Sequence, residues 1–396
     1  MIYVVLFCIV MACYFNTRTT PSAHNPTLLA WIMFGLAMVV GMGDMLGGYD
    51  RYIYGELFDR NADIVEGGQP IFNVDNPLYA SYSSEIFYVY WNVLVAHVTS
   101  NRYIFLLLST FFMFTLFYYS IRDYIESNYF FAVLAFMGIW FFFSHTYLRQ
   151  AMATSVAWFG MRYVVQRKPW KFFLCAFIVY KFHNSGIVYS FLYFMPIKKW
   201  TKKQVIYAMV LLFLAGITGI SSSLYSLYGD MSDDDRNHGY NNDDTGGRLA
   251  YLIEVVVFMY FIFKRYNRIR SQKDIVFLNA TLCFCGMLLF FFRSSNGGRQ
   301  SWYFAMGIIY LLTELSNRDL QFKRVDDYTK CLLGILFALY LRIVIVWGAL
   351  LSPYKTFLTN GYRKNDICCL AYEYDWNYER DKMYRKPFRL IWNHWK

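Results

Sequence analysis

The chain reads as an all-α, polytopic integral membrane protein, and three observations carry that reading. Of its 396 residues 57% are hydrophobic and 21% aromatic, while only 16% are charged, against about 25% in an average soluble protein. So few charges cannot cover so much apolar surface in water. Apolar runs of membrane-crossing length recur from end to end. The remaining charges sit in clusters between those runs, and the clusters differ in sign.

Residues 1–15 are apolar and lack the basic leading region of a signal peptide, so they read as a first, short membrane segment. Further apolar runs cover 28–46, 103–120, 129–147, 151–165, 172–182, 187–197, 205–220, 249–263, 275–292, 302–315 and 331–351. A further stretch, 86–98, is short and carries Asn92 and His97.

The connections are of two kinds. Arg167, Lys168 and Lys171 form one basic cluster, and Lys198, Lys199, Lys202 and Lys203 a second. Lys264, Arg265, Arg268, Arg270 and Lys273 form a third, and Arg318, Lys323, Arg324 and Lys330 a fourth. These belong in the cytoplasm. The segment 47–85 is acidic and 221–248 carries six Asp, which places both outside. Strict alternation then requires 172–182 and 187–197 to be two short crossings that meet outside at His183-Asn184-Ser185-Gly186. It also requires 86–98 to dip in or lie at the interface. The result is about twelve transmembrane helices with a broken helical hairpin around residue 183. Residues 1–351 make one membrane domain with outer loops 47–102 and 221–248, and 352–396 form a charged, aromatic-rich C-terminal tail.

The net charge of +11 follows from this orientation rather than from a nucleic-acid partner. The eight Cys show no paired C-x-x-C spacing, so neither a zinc site nor a disulfide framework is indicated.

Four polar stations fall at the outer helix ends in this tracing. Asp50 and Arg51 open the long outer loop, with Tyr54 one helical turn on. Their carboxylate and aromatic mixture suits a sugar-binding lip, and an amphipathic interfacial helix is the plainer reading. His145 and Arg149, four apart, are expected on one helix face, followed by Gln150 and a small-residue stretch. An arginine there faces a cavity or a partner, or else snorkels to the headgroups. His183 sits at the hairpin tip, where non-helical backbone must line protein or water. It can exchange a proton near neutral pH, or simply cap the turn. Arg293 and Arg299 flank a Gly-rich turn whose backbone N–H groups could hold an anion, with Tyr303 expected one turn further on the same face. The D-x-D spacing in Asp233-Asp234-Asp235 reads as a solvated acidic loop. No metal site and no cofactor are indicated.

The chain resembles the EpsG family of bacterial exopolysaccharide proteins, relatives of the Wzy-type O-antigen polymerases. The resemblance rests on Gly48-Tyr49-Asp50-Arg51-Tyr52, on Leu148-Arg149-Gln150-Ala151-Met152-Ala153, on Phe182-His183-Asn184-Ser185-Gly186 and on Gly298-Arg299-Gln300-Ser301-Trp302-Tyr303. It covers roughly residues 28–315. The family often has an acid followed by Pro or Gly before its third apolar stretch, whereas here Glu85 is followed by Ile86.

The resemblance implies a metal-independent glycosyltransferase of capsule or exopolysaccharide synthesis. It would polymerise repeat units carried on undecaprenyl diphosphate, at the outer face of the bacterial inner (cytoplasmic) membrane, beside a flippase and a chain-length regulator. Arg149 and Arg299 would bind the diphosphate and stabilise it as it leaves, and His183 or Asp50 would serve the acceptor hydroxyl. Gln150, Arg51, Tyr54, His145, Arg293 and Tyr303 would contact substrate, with membrane lipid around them. A flippase for the same cargo, or a polysaccharide acyltransferase, would use similar residues. The first must bind from both sides and the second needs a route for a cytoplasmic acyl donor.

Overall fold

A computed structural model describes residues 2–44, 47, 49–221, 248–294, 297–317, 325–359, 385, 387 and 388. Asp233-Asp234-Asp235 and nearly all of the loop around them lie outside these residues. Among the described residues the regular structure is helical, with one isolated bridge between Gly43 and Thr356. In chain order the helices are α1 (Ile2–Thr17), α2 (Pro26–Gly41), α3 (Tyr49–Glu66), α4 (Pro77–Tyr82), α5 (Ile86–Ala96) and α6 (Arg102–Tyr124). Then come α7 (Tyr129–Ile139), α8 (Phe143–Thr146), α9 (Leu148–Val165), α10 (Pro169–Phe182), α11 (Phe191–Phe194) and α12 (Lys202–Ile217). The chain ends with α13 (Leu249–Lys264), α14 (Gln272–Phe290), α15 (Ala305–Asn317), α16 (Asp327–Val346) and α17 (Gly348–Leu351). Two 3-10 segments matter below: Asn184–Ser190 and Gly297–Phe304.

The helix starts are set by side chains that accept the first unsatisfied N–H groups. Asn25 accepts from Thr27 and Leu28 ahead of α2, and Asn101 and Asn128 do the same for α6 and α7. Reciprocal capping boxes open α12 (Thr201 with Gln204) and α14 (Ser271 with Asp274).

Three of these helices, α6, α14 and α16, are long and apolar enough to cross a membrane. Together with shorter apolar helices such as α1, α2, α5 and α7, they make this a helical membrane protein. Helix length does not support a count of about twelve crossings. The reason is visible in the runs that break. The run 129–147 is not one helix: Trp140 leaves the helical region (φ −135, ψ −25), and Tyr147 (φ −93, ψ 62) separates α8 from α9. His145 and Arg149 therefore sit on different helices, and the expected shared face does not exist. The start of 302–315 is 3-10 up to Phe304. At 11 residues α5 rises about 16 Å, roughly half the hydrocarbon thickness.

The hairpin at residue 183 has an unusual return limb. The 14 residues of α10 rise about 21 Å. The return is seven residues of 3-10 helix and one short α-turn, together about 20 Å. It brings Tyr193 back beside Phe172 (ring centroids 5.2 Å apart), where its carbonyl accepts from Arg167. Gly186 permits the close return, since a Cβ there would lie 2.6 Å from Val179 Cγ1.

The core centres on α7, which is buried along its length between α1, α6, α15 and α16. Beside it Phe117, Phe136, Trp140 and Trp158 form one aromatic cluster. The Trp158 indole N–H donates to the Trp302 carbonyl at 3.0 Å, which locks α9 to the Gly297–Phe304 segment. The start of the C-terminal tail belongs to the same packed body. Lys355 forms a fully buried ion pair with Asp44, and Phe357 stacks on Tyr103. Further on, Arg385 grips Asp63 on α3 with two hydrogen bonds of 2.7 and 2.9 Å.

Candidate active site

The start of α9, the end of α10, the start of α5 and the Gly297–Phe304 segment converge, and each contributes a polar group. Arg149, in the first turn of α9, forms an ion pair with Glu85, the residue that precedes α5. The pair is shielded: the side chains are 14% and 2% exposed. The rings of Tyr82 and Tyr54 complete the enclosure, with the guanidinium 4.1 Å and 5.6 Å from their centroids. Such a cation gains from the ring faces once desolvated.

The other oxygen of Glu85 accepts the backbone N–H of Asn184 at 3.0 Å. Ser84 adds to the grip: its hydroxyl accepts from the Asn184 amide at 2.8 Å, and its carbonyl accepts from Lys181. His183 is extended (φ −156, ψ 121), and its Nδ1 accepts the N–H of Ser185, capping the 3-10 segment. Nδ1 also lies 2.8 Å from Ser185 Oγ, which is 2.8 Å from the Tyr303 hydroxyl. An Nδ1 that accepts an N–H carries its lone pair there, so the neutral ring holds its proton on Nε2.

Arg299 stacks over Tyr147 at 4.0 Å and donates to that hydroxyl at 3.1 Å. Its carbonyl accepts from Gln150 at 3.0 Å, so the residue after Arg149 holds the segment that carries Arg299. Trp302 backs this arrangement, stacked on Phe143 at 4.3 Å. Among the described residues Arg299 has no carboxylate partner, unlike Arg149.

Arg149, Gln150, His183, Arg299, Tyr303 and Tyr54 are thus brought together. Asp50 is half-buried in the first turn of α3, one turn before Tyr54. The other expected contacts are placed elsewhere. Arg51 is 2% exposed and donates to the carbonyls of Val40, Gly43 and His145. Its donors tie the α2–α3 link to α8 rather than facing a substrate. His145 is equally buried, edge-on to Tyr3 and Phe141. Arg293 is exposed and donates to the Ile217 carbonyl at the end of α12. Tyr303 does not share a face with Arg299, because a 3-10 helix turns about 120° per residue and four steps leave them a third of a turn apart. Gly297 and Gly298 do not form an open anion nest. The Gly297 N–H donates to Ser294 Oγ, and a Cβ on either glycine would strike the ring of Phe291 or Tyr251.

Two contributors, Tyr82 and Tyr147, were not picked out from the sequence, and Glu85 stood out there only as the acid ahead of 86–98, with its role left open. Of the two tyrosines only Tyr147 left a local signal, as an aromatic two residues before Arg149.

Fold and site together define a helical membrane protein that gathers an arginine paired with a carboxylate and an arginine stacked on a tyrosine around a histidine turn. The chain belongs to the EpsG family, whose profile matches residues 28–356. No curated protein and no solved structure matches it.

Proposed function

We propose that this protein is a membrane polysaccharide polymerase. It would be a glycosyltransferase that joins undecaprenyl-diphosphate-linked oligosaccharide repeat units at the outer face of the bacterial inner membrane. Family membership suggests a polymerase-like role. The observation that carries the finer reading is Arg299: a guanidinium with no carboxylate partner among the described residues, on the same 3-10 segment as Tyr303 of the His183–Ser185–Tyr303 array.

In this reading the donor diphosphate docks on Arg299, whose planar donors suit phosphate oxygens. The acceptor hydroxyl oxygen attacks the anomeric carbon, and the bond from that carbon to the phosphate oxygen breaks. The electron pair leaves with the lipid diphosphate, where Arg299 stabilises it. The proton passes to His183 Nδ1 directly or through Tyr303 and Ser185 Oγ. Shorter helices complete about twelve crossings around the site, with 47–102 and 221–248 outside. A flippase and a chain-length regulator of the same pathway are the proposed partners.

The test is reconstitution with a purified lipid-linked repeat unit, scored for lengthened chains. In cells, His183→Ala should leave unpolymerised repeat units at the outer face. Repeat units trapped at the inner face would support a flippase and overturn the polymerase reading.

A further inference from the structure

Glu85 is buried, and its two oxygens contact parts of the chain that are far apart in sequence. One meets Arg149 on α9, and the other meets the N–H of Asn184 at the hairpin tip. The neighbouring Ser84 binds the same asparagine side chain. The short connection between α4 and α5 is therefore clamped to the residue that follows His183. Stability alone does not account for the pair, because buried ion pairs are often matched or bettered by well-packed apolar residues. What the carboxylate supplies and an apolar side chain cannot is a fixed distance between the arginine, the tip and the α5 start.

We infer that Glu85 is a positioning residue for glycosyl transfer. It holds the His183 turn in register with Arg149 and hence, through Gln150, with the Arg299 segment. This rests on the polymerase reading above. In this arrangement Arg149 is a fixed counter-ion and Arg299 the cation that meets the diphosphate. Catalysis by alignment is sensitive, since a displacement of about 1 Å can cost around 100-fold in rate.

Glu85→Gln is the informative variant. It keeps the size of the side chain but replaces one of the two acceptor oxygens by a donor NH2 and removes the charge, so either Asn184 or Arg149 loses the oxygen it meets in the native protein. Glu85→Asp keeps the charge but is one methylene too short to span the two. With wild-type protein levels, both should lower kcat about 10- to 100-fold and leave the KM for the lipid-linked donor within about twofold, because Arg299 is untouched. In a His183→Ala background Glu85→Gln should cost nothing further, since the turn it positions no longer carries the imidazole. Hydrogen exchange supplies a readout independent of turnover: the Asn184 amide should exchange faster in Glu85→Gln, with α14 and α15 unchanged. Losses that multiply with His183→Ala, turnover near wild type in Glu85→Gln, or unchanged exchange at the tip would each overturn the positioning role. Failure of wild-type protein to lengthen any chain would overturn the polymerase reading instead, and the exchange result would still decide whether Glu85 holds the tip.

Discussion

Replacing Arg299 separates the two arginines most sharply. Its guanidinium lies 4.0 Å over the Tyr147 ring, donates to that hydroxyl at 3.1 Å and faces no carboxylate among the described residues. On the proposed polymerase reading, its charge meets a diphosphate that gains negative charge as the glycosyl bond breaks. Removing one such preorganised donor costs about 3–4 kcal/mol at the transition state, or roughly 10²- to 10³-fold in kcat. Arg299→Lys retains a point charge but loses the stack, about 1 kcal/mol, and the two-toothed grip. It should remain at least about tenfold below wild type. Tyr147→Phe keeps the ring under the guanidinium and removes only the hydroxyl partner, which predicts a loss of about 1–2 kcal/mol, roughly five- to thirtyfold. The assay is chain elongation by purified protein in liposomes carrying the lipid-linked repeat unit, with protein quantified after reconstitution. Arg299→Ala turning over within twofold of wild type, or Lys matching Arg, would refute the assignment and reduce Arg299 to an interfacial anchor.

Further outcomes follow from other parts of the structure. Arg149→Ala should abolish polymer for a different reason: it strands the buried Glu85 carboxylate at a cost of about 3–5 kcal/mol, so thermal stability in detergent should fall along with activity. Single-Cys labelling in a Cys-free background should reach positions 184 and 299 from outside and 198 to 203 only from the cytoplasm. Labelling of position 184 from the cytoplasm alone would break the tracing. Gly47 has φ +116, and a Cβ there would lie 2.7 Å from the Cβ and carbonyl oxygen of His145. Gly47→Ala should therefore destabilise the protein by about 1–3 kcal/mol, read as a lower melting temperature. On α3, burial pushes the Asp59 carboxyl up to about 6, against the pull of Arg102 beside it. The folded form then keeps a proton that the unfolded chain has released, so this group adds stability as pH falls from about 6 toward 4. Asp59→Asn should flatten the pH dependence of unfolding in that window.

Much of the site's membership was legible before any folding was considered. Arg149, His183 and Arg299 each stand in a polar run at the edge of an apolar one, a placement costly enough in a membrane to draw attention. The break at His183 was also legible, because basic residues flank both sides of one apolar stretch and a single straight helix cannot satisfy that. Hydropathy and charge placement are sums over neighbouring residues, and these features are local in that sense.

Pairing and burial are not local. Glu85 meets Arg149 across 64 positions and Asn184 across 99; its place ahead of an apolar stretch was visible, but no spacing in the chain names those partners. Arg51 and Arg299 look alike as sequence, each beside a glycine-containing turn. One is walled in by three backbone carbonyls and the other, among the described residues, meets a tyrosine ring and hydroxyl and no carboxylate, because different segments pack over them. The apolar run 129–147 carries no Pro to announce its break. Its helix yields at Trp140 and again at Tyr147, where rings pack against Trp158 of α9 and Trp302 of the Gly297–Phe304 segment. Composition and charge order thus made this a helical membrane protein with polar helix ends. Which of those ends became a shielded ion pair, a structural tether or a cation stacked on a tyrosine was decided by packing between distant segments, since the energy of a charge depends on what surrounds it rather than on its neighbours in sequence.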